Sequence, residues 1–218
     1  MKLYQNRDDA ARTLIAELPP DLGPDWLVLG LPRGGVPIAA ALAHHLKAPL
    51  DLLVVRKVGV PGQPELALAA VTGATDEALT ENAALRRALG LSDERLRALA
   101  RDAAADLEER RKRWTDGRPA PRLQGRKVLI VDDGAATGTT LAAAVDAVRR
   151  AGAAEVAVAL PVALGGSLGK VADRVDHVIC PMPDAPLHAV GQAYASFPQV
   201  SDEAVTRLLA ENPLPDTG

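Results

Sequence analysis

The chain has 218 residues, of which 48% are hydrophobic and 24% charged, and a formal net charge of −3; these are ordinary globular values for a chain long enough to bury its own core. The acidic balance argues against a protein that coats nucleic acid, the single cysteine excludes an internal disulfide, and no apolar run approaches the roughly 20 residues needed to cross a bilayer. Residues 1–9 are polar and acidic at their end, unlike a signal peptide, so the expectation is a soluble, cytoplasmic protein with no membrane partner.

From the N-terminus, Asp8 is placed to cap a helix carrying Ala11, Leu14, Ile15 and Leu18 at helical spacing, and Pro19 and Pro20 stop it. Residues 26–29 form a short apolar run ending in Gly30, the pattern of a buried strand. Leu31-Pro32-Arg33-Gly34-Gly35 follows, then a helical stretch from about 36 to 45. Residues 50–55 repeat the buried-strand pattern and run into Arg56 and Lys57. Two Gly and two Pro within 58–64 predict a loop, and 66–71 a further strand.

From 80 to 113 Ala, Leu, Arg and Glu dominate and strand formers vanish, which predicts one or two helices. Gly90 marks a break and Ser92 an N-cap, with Arg95 standing where a capping box has Glu or Gln. Residues 76–118 thus read as a helical insertion into an α/β core, ending in a linker over 116–124. Residues 127–131 are the clearest strand, and 137–151 a helix closed by Gly152. Strands at 155–160 and 175–180 flank a loop and short helix at 165–171. A last helix at 201–210 is capped by Ser201, with Asp202 and Glu203 in its first turn. Alternating elements with continuously apolar strands imply one domain over 1–218, built on a parallel sheet covered on both faces. With aromatics at 2%, its core must be Ala, Leu and Val.

The chemistry concentrates in Val128-Leu129-Ile130-Val131-Asp132-Asp133-Gly134-Ala135-Ala136-Thr137-Gly138-Thr139-Thr140. A buried strand delivers two carboxylates to its C-terminal edge, where ligands sit in open α/β sheets. A loop of small residues lets backbone N–H groups approach an anion. The helix that follows offers its N-terminus to phosphate, and Thr137, Thr139 and Thr140 add hydroxyl donors. A ligand with a phosphate and adjacent cis-hydroxyls suits this order. A plain capped turn would use the same residues.

The segment resembles the signature of type I phosphoribosyltransferases: an apolar run, two acids, a few variable positions, then Thr-Gly-x-Thr. The resemblance covers roughly 26–71 and 126–181 and is nearest to a group of bacterial phosphoribosyltransferase-like proteins whose acceptor is unsettled. It implies an α/β, parallel-sheet, Rossmann-like core that binds 5-phosphoribosyl 1-pyrophosphate (PRPP). Asp132 and Asp133 would engage the ribose hydroxyls, and Gly134, Ala135, Ala136, Thr137, Gly138, Thr139 and Thr140 the 5′-phosphate. Arg33, Gly34 and Gly35 would form the pyrophosphate loop. Arg56 and Lys57 begin the segment that corresponds to the family's mobile loop, which closes over PRPP. Arg33, Lys57, Asp132 and Asp133 are the expected catalytic residues. Mg²⁺ is the implied cofactor, held mainly through PRPP with no direct protein ligand, since two carboxylates make a poor cage. The partners are PRPP and a nitrogenous acceptor, nucleic acid is not expected, and a homo-oligomer stays open.

Other features are set aside. Arg110-Arg111-Lys112-Arg113 follows Asp102, Asp106, Glu108 and Glu109 and reads as a solvated, salt-bridged helix face. Gly165-Gly166-Ser167-Leu168-Gly169-Lys170 fails as a P-loop, because Leu164 and Val171 occupy required positions. Cys180 reads as a buried inert thiol, and His44, His45 and His177 as structural. Residues 184–199 carry His188, Tyr194 and Phe197, so 184–218 is read as a hood over the acceptor followed by the C-terminal helix, with ordinary packing as the alternative. The expected reaction passes a phosphoribosyl group to a nitrogen through an oxocarbenium-like state and releases pyrophosphate. A PRPP-sensing regulator, or a fold kept only for assembly, are the competing readings. Ala136 stands where 6-oxopurine enzymes commonly carry an acid, which argues against hypoxanthine and guanine by that route.

Overall fold

The computed structural model describes residues 3–60, 63–72, 79–81 and 83–212. At its centre lie five parallel strands: β1 (Trp26–Gly30), β2 (Leu50–Leu52), β6 (Lys127–Val131), β7 (Glu155–Ala159) and β9 (His177–Ile179), in the spatial order β2-β1-β6-β7-β9. The registers align one row of residues across the sheet, Leu52, Gly30, Val131, Ala159 and Ile179, so the strands end at a common edge. The order runs outward in both directions from β1 and β6. That reversal is a topological switch point, where the connections leave to opposite faces and open a crevice at the carboxyl ends.

Alternation along the strands explains why they read as unbroken apolar runs. Trp26, Val28, Leu129, Val131, Ala157 and Ala159 point to one face, into a core shared with α1 (Arg7–Ala16), α2 (Gly35–Leu46) and α6 (Asp202–Glu211). Leu27, Leu29, Val128, Ile130, Val156 and Val158 point to the other, against Leu141, Ala144, Val145 and Val148 of α5 (Thr139–Arg150). Both sides of each pleat are therefore buried. A small parallel pair, β8 (Val162–Leu164) with β10 (Met182–Ala185), extends past the carboxyl edge beside the crevice.

Several expectations are corrected. The first helix is capped by Asn6, whose side chain accepts from the Asp9 N–H; Asp8 lies in the first turn, where its charge suits the helix dipole. The expected loop at 58–64 is instead largely an antiparallel hairpin, β3 (Val55–Val60) with β4 (Gln63–Thr72), and Leu79–Glu81 adds a third strand, β5. Thr80 is therefore strand rather than helix start. Gly59 and Pro64 are accommodated because the hairpin bulges: the register shifts twice between Val58 and Val60. The helices α3 (Ala83–Ala88) and α4 (Asp93–Thr115) follow, and the Ser92 side chain caps α4 by accepting from the Arg95 N–H. A third core joins Val58, Leu68 and Val71 of the hairpin to Leu96, Ala100 and Leu107 of α4. No helix among the described residues is long and apolar enough to cross a membrane.

The basic run on α4 divides. Lys112 and Arg113 pair with Glu108 and Glu109 one turn back, as a solvated face should. Arg111 turns inward instead. Its guanidinium makes two hydrogen bonds, 2.8 and 3.0 Å, to the carboxylate of Asp51, which is fully buried in β2, and Arg118 lies 3.7 Å from the same carboxylate. This is the polar rivet between α4 and the sheet. Removing one partner of a buried pair leaves the other charge uncompensated, at about 3–5 kcal/mol. Asp51→Asn is therefore expected to lower unfolding free energy by about that amount in urea titrations. A loss within experimental error would show that solvent already screens the pair.

Candidate functional site

The switch point brings together two of the segments that sequence reasoning singled out separately, the turn over 31–35 and the segment over 128–140. The turn after β1 is tied to the end of β6 by Leu31 N–H donating to Val131 O at 2.8 Å. Gly34 and Gly35 open α2 against the acid pair. A Cβ on Gly34 would sit 1.9 Å from Asp133 Oδ2, and one on Gly35 would meet Val131 O at 2.6 Å and Asp132 Cα at 2.8 Å. The glycines are there because two chains must pass closer than side chains permit.

Asp132 and Asp133 stand at the carboxyl edge of β6. Asp132 Oδ1 accepts the Asp133 N–H at 2.8 Å. Burial, reinforced by the neighbouring Asp133 charge, holds the Asp132 carboxyl well above its ordinary range. Burial also raises Asp133, but there Arg7 opposes it. Arg7 Nε and Nη2 both donate to Asp133 Oδ2, at 3.1 and 2.7 Å. Sequence reasoning missed Arg7. It belongs to the first turn of α1, more than a hundred residues from the acids, and carries no motif of its own.

Beyond the acids the chain turns through Gly134 and Ala135, whose N–H is already used by Val162 O at 2.9 Å. Ala136 and Thr137 are exposed. Gly138 has φ +69°, and a Cβ there would lie 2.3 Å from Ser167 O, so neither the backbone nor the space admits a side chain. The 165–170 segment that fails as a P-loop is thus the wall behind this loop. Its Ser167 hydroxyl donates to Ala135 O at 3.0 Å. The helix α5 then starts at Thr139, two residues later than the sequence pattern suggested, because Gly138 and not Thr137 makes the turn into it. The Thr137 and Thr139 hydroxyls lie 3.2 Å apart, and Thr140 is exposed. Gly138 supplies no side-chain cap to α5, and the Thr139 N–H donates to Thr137 Oγ1 at 3.5 Å, so the positive end of the helix dipole lies at the end of this loop.

The cationic candidates are placed less tightly. Arg33 is about a third exposed and reaches Asp202 of α6 only at 3.5 Å, an exposed pair of little strength. Arg56, on β3, pairs with Asp106 of α4, which also takes Arg110 at 3.5 Å. Lys57 follows on β3, paired with Ala70, and its side chain lies outside the described residues. The aromatic residues of 184–199 separate in the same way. Tyr194 is buried and its hydroxyl donates to Asp133 O at 2.6 Å, Phe197 stacks on Tyr194, and His188 is exposed. Cys180 is half-buried and burial pushes its thiol up to about 12, which keeps it protonated and inert. His177 packs edge-on to Trp26, a structural position.

Two outcomes follow from this packing. Gly35→Ala should destabilise more than Gly34→Ala, because the first meets backbone and the second a side chain that can swing; overpacking of this kind costs about 1–3 kcal/mol, measurable in urea. A reversed order would show that Asp133 is held more rigidly than the backbone beside it. The second outcome concerns pH. The folded protein binds the Asp132 proton more tightly than the unfolded chain does. Its contribution is most favourable below the ordinary value of 3.8 and is lost as pH rises towards the raised folded value. Asp132→Asn keeps the acceptor for the Asp133 N–H and removes the titration. The stability of this variant relative to wild type should therefore improve as pH rises from about 4 to about 8. A difference that stays constant with pH would refute the assignment.

Comparison with known proteins shows the family. Residues 2–191 match the model of the phosphoribosyl transferase domain. Two curated relatives from Mycobacterium tuberculosis strains, each named "Putative phosphoribosyl transferase", are 42% identical over 209 residues, 96% of this chain. The chain spans 47% of the length of those relatives. The crystal structure of the protein TT1426 from Thermus thermophilus superposes with a TM-score of 0.84 at 36% identity, covering 97% of this chain and 99% of that one. The chain belongs to the phosphoribosyl transferase domain family and has the parallel-sheet α/β core of a type I phosphoribosyltransferase.

Proposed function

We propose that the chain transfers the phosphoribosyl group of PRPP to a nitrogen nucleophile and releases pyrophosphate. The observation that carries this reading is the convergence, at one switch point, of the Arg33-Gly34-Gly35 turn, the Asp132–Asp133 pair and the small-residue loop entering α5. Each matches one part of PRPP. The loop and helix N-terminus take the 5′-phosphate. The carboxylates accept from the ribose hydroxyls, with Asp132 the more available because Arg7 already occupies Asp133. The glycine turn takes the pyrophosphate, with Arg33, Arg56 and Lys57 supplying charge.

In the reaction the C1′–O bond breaks and its electron pair leaves with pyrophosphate. The acceptor nitrogen gives its lone pair to C1′, and its proton departs. No protein nucleophile is needed, so the chain acts by positioning and by stabilising the charge that develops. Magnesium, when bound, would neutralise part of the pyrophosphate charge. Among the described residues there is no cluster of three metal-ligating side chains. Asp132, half-buried and without a cation partner among the described residues, fits an ion carried by the substrate's own oxygens better than one held by a protein cage.

The test is pyrophosphate release with PRPP and Mg²⁺ across hypoxanthine, guanine, xanthine, adenine, orotate and uracil. Because Ala136 is an exposed methyl at the position where an acid would assist a 6-oxopurine, turnover is expected with adenine, a pyrimidine or a simple amine rather than with hypoxanthine or guanine. Efficient use of hypoxanthine or guanine alone would overturn the acceptor reading. Asp132→Asn combined with Asp133→Asn should weaken PRPP binding in calorimetry, and a wild-type protein that binds no PRPP would end the proposal. Arg33→Ala should lower turnover more than PRPP affinity, since contacts to a departing group are worth about 2–4 kcal/mol in the transition state.

A further inference from the structure

Arg7 is not accounted for by any of the three site segments, yet it touches the centre of the site. Its side chain is 11% exposed. Nε and Nη2 hold Asp133 Oδ2, Nη1 donates to Pro198 O at 2.8 Å, and the guanidinium lies 3.9 Å from the centroid of the Phe197 ring. One planar group therefore bridges the acid pair and the segment over 187–200. The same segment is clasped to the N-terminus by Tyr4. Tyr4 N–H donates to Ala193 O at 2.9 Å, and the N–H groups of Ala195 and Ser196 donate to Tyr4 O and Gln5 O at 2.7 and 2.9 Å. Tyr194, stacked on Phe197, donates its hydroxyl to Asp133 O. Asp133 is thus held from both ends, its carboxylate by Arg7 and its carbonyl by Tyr194, and every holder belongs to, or contacts, the terminal segments.

Surface ion pairs of arginine are worth little, but this one is mostly buried, stacked on an aromatic face and shared between two acceptors. Arginine suits such a place because its five donors are fixed in one plane, so that ordering one contact orders the others. A lysine could satisfy Asp133 or Pro198 but not both while stacked.

We propose that Arg7 is a positioning residue that couples the Asp133 carboxylate to the 187–200 segment, so that occupation of the donor side sets the order of the segment lying over it. The inference deepens the phosphoribosyl-transfer reading and rests on it for its role in turnover. The coupling itself is a property of the unliganded protein. In the free protein Arg7 anchors 187–200 through Asp133. When ribose hydroxyls engage the acids they share Asp133 with Arg7, and the segment must settle anew around the filled site.

Hydrogen exchange by mass spectrometry on the full chain tests this, with wild type, Arg7→Ala, Arg7→Lys, Asp133→Asn and Phe197→Leu. In the free protein, Arg7→Ala and Asp133→Asn should each speed exchange over 187–200 by about tenfold, the scale of one lost charged contact, while peptides from β7 and α5 keep wild-type rates. Arg7→Lys should restore part of the protection. Asp133→Asn is the decisive variant, because it preserves side-chain shape and leaves α1 untouched: if 187–200 exchanges as in wild type, the coupling does not exist. PRPP with Mg²⁺ should change exchange over 187–200 in wild type and have less effect in Arg7→Ala. Under turnover, Arg7→Ala and Phe197→Leu should each raise the acceptor KM by more than the PRPP KM. Parallel losses in both constants, with protection unchanged, would leave Arg7 a merely structural residue. If calorimetry detects no PRPP binding while Asp133→Asn still loosens 187–200, the transfer reading falls and the coupling stands.

Discussion

Two carboxylates on consecutive residues at the end of a buried strand are the constraint around which this molecule is arranged. Neither can be hydrated freely. Burial raises the proton affinity of both, and the charge of Asp133 raises that of Asp132 further. The fold compensates one of them. Asp133 receives Arg7 and lies against Gly34, where no side chain competes for space. Among the described residues, Asp132 keeps only a backbone donor. Asp132 is thereby left able to accept further hydrogen bonds. Burial of this kind opposes stability, and it persists only because the surrounding packing exceeds it.

That packing depends on the winding of the sheet. Because β1 and β6 are neighbours with connections leaving to opposite faces, their carboxyl ends face an open crevice, and the turns after them can approach each other. The outer layer of hairpin and α4 is anchored elsewhere, through its own aliphatic core and through Asp51 with Arg111 at the edge strand β2. This separates tasks. The rivet holds the layer at one edge of the sheet while the hairpin carrying Arg56 and Lys57 projects from the turn that follows β2. Arg56 itself is engaged by Asp106 on the half-exposed surface of α4, where exchange of partners costs little.

Much of this is legible in the sequence, for a physical reason. Strands buried on both faces leave unbroken apolar runs, so β1, β6 and β7 announce themselves, and caps such as Ser92 and Ser201 are local events with local signals. The hairpin is hidden because Gly59, Pro61, Gly62 and Pro64 are the chemistry of a loop, and a bulged ladder tolerates some of the same residues. Arg111 is hidden by its neighbours. In a run of four cations only helix phase and the position of β2 decide which one turns inward. Arg7 is illegible for the deeper reason that its partners, Asp133, Phe197 and Pro198, are joined to it only by tertiary structure. The clasp of Tyr4 on Ala193 and Ala195 likewise joins chain ends that share no pattern.

The proposed function also has to meet an electrostatic conflict. A site for a phosphorylated sugar must hold anionic phosphate close to carboxylates, and the two repel. Here the carboxylates end a strand and the small-residue loop reaches the N-terminus of α5 several residues later, so in the proposed reading the repulsion is offset by the helix dipole at the phosphate end. Arg7 lowers the remaining charge from the opposite side without entering the loop. A cation placed in the loop before α5 would have strengthened anion binding in general. Placed on Asp133 and stacked on Phe197, it ties the charge of the acids to the segment over 187–200.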